Sequence, residues 1–414
     1  MIKILILGGG FGGIRCALDL SKKIGDKAKT TLIDKNSYHL FAPALYEVAS
    51  AYGVKKDPFA VRIKKTIRIP YSDIFENKKI NFIQAEVTAI DLANKKVATS
   101  GGEILDYDYL VIALGSQAAD LDIPGVKEYA FQFKNLEDAL LLNQKIDELA
   151  KEVAIGVRAR PIKIAVVGAG FTGIEVAAEF ACYIKKLFKT RGVKGRCERI
   201  MILQSGPKIL PAISNSERMI ILKRLTRLGV EVMENATAEE VGRDYIKLKN
   251  GRHLGIDVAV WTAGIRLLDL LFKIQDLPLT ENKKIKVNNN LEVKDLSGVF
   301  AVGDNTEFID LKTGKLIPAL AYIAANQGKN VAKNILRLIN YNKPVPYEPV
   351  YSVWIVTIGG KYALAHLFGG VNIKGFWGWI IREIVDLKYM LSILPFKKAI
   401  SIFWRGITIF TKND

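Results

Sequence analysis

The order strand, G-x-G-x-x-G, helix occurs twice in this chain, opening at Gly8 and again at Gly168, and the repetition limits what the sequence can fold into. In the first copy the apolar run Ile4-Leu-Ile-Leu7 leads straight into Gly8, Gly10 and Gly13, with Phe11 and Gly12 between them. A helical pattern (Ile14, Ala17, Leu18) follows at once. The first glycine permits a tight turn, the second lets backbone approach a pyrophosphate, and the third lets helix pack on strand. The phosphates then meet unpaired N–H groups at the positive end of a helix. The next strand, Thr30-Thr-Leu-Ile-Asp34, ends in a carboxylate placed to accept hydrogen bonds from a ribose, with Lys35 beside it. The second copy runs from Ile162 into Gly168, Gly170, Phe171, Thr172, Gly173 and Glu175. Two dinucleotide sites in one chain predict one bound redox cofactor and one exchangeable one.

Further strands end where such sites need them. A strand over 81–90 carries Val87 as a cofactor-contact candidate, and Tyr109-Leu-Val-Ile gives way to Ala113 and Gly115. In the second copy the ribose-reading position holds Gln204, and a later strand reaches Thr262-Ala-Gly264. A carboxylate at position 204 would repel a 2′-phosphate; a neutral amide need not, so NADH is expected and NADPH stays open. The strand Val299-Phe-Ala-Val ends at Gly303-Asp304, an aspartate placed to bond the ribityl or pyrophosphate part of a flavin on the first glycine loop. The first domain therefore resumes after the second. The fold class expected is α/β, two Rossmann-like domains with the second inserted into the first. Boundaries fall at 1–122, 123–282 and 283–340, with a C-terminal region over 341–414.

At 414 residues, two or three domains are expected. Sixty basic against forty-two acidic side chains leave a charge of +18, clustered in part at Lys55 to Arg68 and Lys185 to Arg199. Such an excess suits nucleotides, nucleic acid or an anionic membrane surface. No aromatic RNA-binding motif, zinc spacing or helix-turn-helix accompanies it, so neither nucleic acid nor a metal is expected. Three cysteines, Cys16, Cys182 and Cys197, make no C-x-x-C pair and fit a reducing compartment. No signal peptide precedes the first strand and no spanning run of about 18 apolar residues is present.

Helices are predicted over 135–153 and over 318–339, the latter with Pro318 at its start. In the tail, Trp377, Ile380, Ile381, Ile384, Leu387 and Leu391 recur at helical spacing, with Arg382, Glu383 and Asp386 opposite. After Pro395 a second stripe follows: Phe396, Ile400, Phe403, Ile407 and Phe410 against Lys397, Lys398, Ser401, Arg405 and Thr408. Two amphipathic helices with Trp377, Trp379 and Trp404 predict an interfacial membrane anchor rather than a spanning one. A dimer interface or packing on the core is the alternative.

These motifs, with Tyr38-His39-Leu-Phe-Ala-Pro-Ala-Leu-Tyr46 and Trp261-Thr-Ala-Gly-Ile-Arg266, span nearly the whole chain, which resembles the type II NADH:quinone oxidoreductases. The resemblance implies FAD on the first fingerprint, NADH on the second, and a non-electrogenic transfer of two electrons to a membrane quinone. It implies that Glu175 lies near nicotinamide and flavin, and that the 318–339 helix borders the quinone. In the family that helix carries Ala-Gln and a second Gln four residues on; here Tyr322 and Asn326 stand there, with Gln327 adjacent. Lys361 matches, loosely, a basic residue near the same pocket. A homodimer peripheral to the cytoplasmic face of the cell membrane is expected. A sulfide:quinone oxidoreductase would need a cysteine in the later half, and none follows Cys197. A reductase of a protein electron carrier would not need the tail.

Overall fold

The computed structural model describes residues 1–52, 59–158, 161–195, 198–350 and 353–411. Lys55, Lys56, Arg196 and Cys197 of the basic runs and cysteine set lie outside the described residues. Two five-stranded parallel sheets carry the molecule. The first has the order 299–301, 109–112, 2–7, 28–34, 81–84, and the second 130–132, 258–261, 162–167, 198–203, 230–233. All neighbouring pairs within each sheet run parallel. Both faces are covered, which is why the central strands read as unbroken apolar runs: Ile4, Ile6, Leu7 and Ile164, Val166 are fully buried.

The helices that frame the site are, in chain order, α1 (Phe11–Ser21), α2 (Leu45–Ala49), α3 (Phe59–Ile67), α4 (Leu136–Ala154), α5 (Phe171–Thr190), α6 (Ala321–Ile339), α7 (Phe376–Ile393) and α8 (Phe396–Phe410), with Asn215–Leu228 and three shorter helices elsewhere among the described residues. The start of α4 is fixed by a capping box, Asp138 N donating to Asn135 Oδ1 at 2.8 Å and Asn135 N to Asp138 Oδ2 at 3.1 Å.

The insertion is visible in the topology, since the strand 299–301 pairs with 109–112. The two crossings lie side by side, Gln117–Ala118 pairing antiparallel with Ile265–Arg266. The chain re-enters the first core earlier than the expected boundary at 282/283. Leu267, Leu271 and Ile274 pack with Leu5, Leu7 and Ile33 of the first sheet, so burial draws the return back to about residue 267. Two element boundaries also differ. The strand expected over 81–90 is two, 81–84 in the parallel sheet and 87–91 in an antiparallel one. The switch comes where Ala85 N–H bonds Asp34 O, 3.0 Å, and Ser100 N–H takes Glu86 O, 2.8 Å. The helix expected from Pro318 begins only at Ala321, because Ile317 N–H is still tied to Phe308 O at 3.0 Å.

The two tail helices pack differently: α7 turns its polar stripe inward, whereas α8 buries Ala399, Ile402 and Ile409 and leaves Lys397, Ser401 and Thr408 exposed. Arg382 is buried, while Trp377, Ile384, Phe396 and Trp404 are each more than half exposed. A three-stranded antiparallel sheet (354–357, 363–366, 372–375) precedes α7 and lies against α5. Among the described residues no helix is long and apolar enough to cross a membrane.

Candidate active site

The two glycine loops have the same shape for the same reason. Gly8 has φ +99° and Gly168 φ +104°, a region that β-carbons disfavour. At the third glycine of each loop, an added Cβ would stand 1.9 Å from the carbonyl oxygen of the first: Gly13 on Gly8 O, Gly173 on Gly168 O. At Gly10 and Gly170, by contrast, an added Cβ meets nothing within 4 Å, so both loops present open space at the start of α1 and α5. That is the space a pyrophosphate needs.

The ribose readers sit in register. Asp34 Oδ2 accepts from Gly9 N at 2.6 Å, and its Oδ1 from Asn36 N at 2.8 Å. Gln204 Oε1 accepts from Ala169 N at 3.1 Å, which assigns the amide and leaves Nε2 as the outward donor. Lys35 is exposed beside Asp34, and Val87, in the separate antiparallel sheet, packs its side chain into the core under the first parallel sheet. Ala113 closes under the first loop, its carbonyl oxygen 2.4 Å from a Cβ built on Gly8. Thr262 Oγ1 does the same service under the second, donating to Val167 O and Gly168 O at 2.9 and 3.0 Å, with Gly264 (φ +91°) at the turn beyond.

The Gly303-Asp304 turn reaches the first loop's side of the molecule. Asn305 Oδ1 accepts from Gly115 N at 2.9 Å and Asn305 Nδ2 donates to Ile112 O at 3.0 Å. Asp304 Oδ2 accepts from Ser116 Oγ at 2.8 Å and Lys134 Nζ at 3.1 Å. Burial alone would raise the Asp304 carboxyl; Lys134, Ser116 and Lys284 outweigh it and hold the group below the usual carboxylate range. A small cavity of about 20 Å³ runs from Gly303 and Asp304 to Pro318, Leu320 and Ala324.

The residues expected at the quinone do not converge. Gln327 Oε1 accepts from Gly303 N at 2.6 Å and so braces the Gly303 turn. Asn326 lines an outer groove with Lys22, Lys329 and Lys333. Tyr322 is half-buried, with a hydroxyl that has no partner. Lys361 is exposed on the turn after Gly360.

Glu175 is half-buried on the first turns of α5. Its Oε1 accepts from Thr357 N and Thr357 Oγ1 at 3.3 and 3.2 Å, and one turn on Glu179 Oε2 accepts from Gly360 N at 3.0 Å. Burial pushes the Glu175 carboxyl up to about 7, so it holds its proton close to neutrality.

Two fasteners that sequence patterns missed tie the tail to this core. His39 is buried, and burial lowers it to about 4, so its ring is neutral. With Nδ1–H donating to Gly9 O at 3.1 Å, Nε2 accepts from Tyr389 OH of α7 at 2.8 Å. Arg382 of α7 donates to Glu47 Oε1 of α2 at 2.8 Å. The only signal in the sequence is the set Arg382, Glu383, Asp386 in the middle of a largely apolar helix. Phe11 and Phe171, expected to touch cofactor, also meet the tail region: Phe11 lies 4.8 Å from the Tyr389 ring and Phe171 5.5 Å from that of Trp354.

Comparison with known proteins agrees with this architecture. The family model described as pyridine nucleotide-disulphide oxidoreductase matches residues 2–328. The chain is 30% identical over 407 residues to a type II NADH:quinone oxidoreductase of Staphylococcus haemolyticus (strain JCSC1435), covering 96% of this chain and 98% of that protein. Against the protein of the same name from Staphylococcus aureus (strain NCTC 8325 / PS 47) the identity is 30% over 413 residues, with the same coverage, 96% and 98%. Among solved structures, NDH2 from Plasmodium falciparum in complex with NADH superposes with a TM-score of 0.83 at 20% identity, covering 98% of each chain. The sulfide:quinone oxidoreductase of Aquifex aeolicus shares the fold at TM-score 0.76 and 20% identity, over 95% of this chain and 91% of that one.

Proposed function

The chain belongs to the pyridine nucleotide-disulphide oxidoreductases, and within them to the type II NADH:quinone oxidoreductases, and from that premise we propose how its residues divide the work. The reaction is NADH + H⁺ + quinone → NAD⁺ + quinol. The observation that carries it is the pair of complete nucleotide cradles in one chain, one inserted in the other.

FAD fits the first cradle on this chain's own geometry. The open space at Gly10 and Gly115 admits backbone-close phosphates, with Gly12 and Gly13 behind them. Asp34 has lone pairs left for ribose hydroxyls, and the cavity at Gly303, Asp304 and Gln327 continues the path. FAD supplies the two-electron chemistry; the protein supplies orientation and electrostatics. The nicotinamide nucleotide takes the second cradle, over Gly168, Gly170, Thr172 and Gly173, with Gln204 at its ribose. Gln204 Nε2 is a donor, which a 2′-phosphate accepts as readily as a hydroxyl does. Protonated Glu175 orients the carboxamide. The outward faces of α7 and α8, with Lys374, Lys388 and Lys397 around exposed Trp377, Ile384, Phe396 and Trp404, suit an anionic lipid surface, to which the protein binds peripherally. An acceptor dissolved in lipid is then reached without crossing water. The cytoplasmic face is proposed because NADH and reduced thiols share that compartment. A homodimer is proposed on the family resemblance alone, and sedimentation in detergent tests it.

Rapid mixing tests the function. NADH should bleach the flavin band of the purified protein, and a short-chain quinone should restore it. A protein that is colourless and takes up no FAD, or a reduced one that quinone leaves bleached, would refute it.

A further inference from the structure

A groove of about 910 Å³ lies outside both cradles, between α6, the C-terminal end of α1 and the segment 342–350. Five cations line it: Lys22 and Lys23 at the end of α1, and Lys329, Lys333 and Arg337 along α6. The last three are spaced four residues apart, so they share one face over about 12 Å of helix. Two acids line the groove as well, and both are spent. Asp19 pairs with Arg15, and Glu348 Oε1 takes Lys312 Nζ at 3.3 Å. Among the described residues the four lysines make no ion pair, and Arg337 gives only its Nε, to Lys343 O at 2.6 Å.

Helix ends account for part of this excess. Lys22, Lys23 and Arg337 stand at C-termini, where the helix dipole favours a cation. Lys329 and Lys333 stand in the middle of α6, beyond the reach of that field, and like charges four residues apart repel. No acid of the fold offsets them. The wall formed by 342–350 gives a second signal. Tyr347 lines the groove, is only 6% exposed, and its hydroxyl has no hydrogen-bond partner. A buried O–H without an acceptor is costly, and what it lacks is an oxygen. The groups left open in the groove are donors, so the ligand that completes it is rich in acceptors and carries several negative charges.

We propose that this groove binds an oligophosphate, free or as the tail of a nucleoside triphosphate, with Lys329, Lys333 and Arg337 along the phosphates and Lys22 and Lys23 across from them. One phosphate is too short to meet cations spread over that length, whereas a chain of three meets them through charge-assisted hydrogen bonds. The site is distinct from the nucleotide exchange at Gly168, since no residue of the second cradle lines it. On its inner face the same helix carries Gln327, whose Oε1 accepts from Gly303 N at 2.6 Å. An occupied groove therefore straps α1 to the helix that braces the Gly303 turn.

Isothermal titration calorimetry on the FAD-loaded protein tests this, with NAD⁺ saturating so that the second cradle is closed and with tripolyphosphate and ATP as probes. Tripolyphosphate should bind the wild type, with an affinity that falls as salt is added. Lys329→Glu combined with Lys333→Glu should weaken it about thirtyfold, while Lys329→Arg combined with Lys333→Arg keeps it. Both side chains are exposed, so flavin content should be the same in all three proteins. ATP binding more tightly than tripolyphosphate would assign the source as a nucleotide; the reverse order would assign free oligophosphate. No heat from either probe, or binding that the charge reversal leaves unchanged, overturns the proposal. So does a charge-reversed protein that loses anionic vesicles but keeps tripolyphosphate, which would give these lysines to the lipid surface.

Discussion

The two cradles share a backbone and differ in what stands on it. In α1 the residues after the loop are Phe11, Arg15 and Asp19; in α5 the same positions hold Phe171, Glu175 and Glu179. Five of the six touch the C-terminal region directly, and Asp19 pairs with one of them, Arg15. Phe11 packs on Tyr389 and Arg15 donates to Ser392 O at 3.3 Å while pairing with Asp19. Phe171 packs on Trp354, and Glu175 and Glu179 accept from Thr357 and Gly360. The tail thus clamps both halves of an internal repeat, one through a cation and one through acids. The lesson is that identical phosphate loops fix where nucleotides sit, while the non-glycine positions decide which one stays and how the tail is held.

The severest test of that division is a matched pair, Gly13→Val and Gly173→Val. Each drives a side chain into a carbonyl oxygen 1.9 Å from its Cβ, so the steric insult is the same. Gly13→Val should yield colourless or insoluble protein, read by flavin absorbance after purification. Gly173→Val should stay yellow yet fail to bleach with NADH. If both lose flavin alike, the cradles are not independent.

A smaller effect probes the acid-for-cation exchange. Glu175 titrates at about 7 when folded, against an ordinary value of 4.5. Between those values the native protein keeps a proton that the unfolded chain has released. Stability therefore falls as pH rises through that window, by roughly 3 kcal/mol from this group alone. Glu175→Gln keeps the acceptor for Thr357 and removes the titration. Its stability by denaturant should match wild type near pH 4.5 and exceed it above 7, while Arg15→Gln should give a difference that does not change across the same range. A pH-independent Glu175→Gln would mean the carboxyl is ionised throughout.

Which parts of this were readable in advance follows from distance along the chain. Gly8 to Gly13 contact one another, so the loop and its strand and helix are local facts, and Asp34 and Gln204 follow at the ends of adjacent strands. The insertion was readable because the strand at Val299–Ala301 runs into Gly303-Asp304, an acid placed for a flavin on the first glycine loop. The Arg382–Glu47 pair spans 335 residues and the Tyr389–His39 pair 350, and no periodicity reports on a partner that remote. Amphipathicity gave the two faces of α7 correctly but not which would turn inward. Two acids and an arginine look like a solvated face until a second carboxylate-bearing helix is placed against them. Gln327, set beside a family motif, was read for its type, and its bond to Gly303 appears only when α6 is laid along α1.

The mildest prediction concerns the two ribose readers. Asp34 and Gln204 accept from equivalent backbone N–H groups, and they differ by one charge and by the donor Nε2. Gln204→Glu makes the second cradle electrostatically like the first. The site is half-buried, so screening leaves the repulsion between the new carboxylate and a 2′-phosphate near ~1.4 kcal/mol, about tenfold in kcat/KM for NADPH. NADH has only hydroxyls there, and a carboxylate accepts from them, so its kcat/KM should hold or rise. Steady-state turnover with both nucleotides at two ionic strengths checks this, because the NADPH penalty should shrink with added salt. A variant that loses both nucleotides equally would show that Gln204 holds the Ala169 turn and reads no ribose.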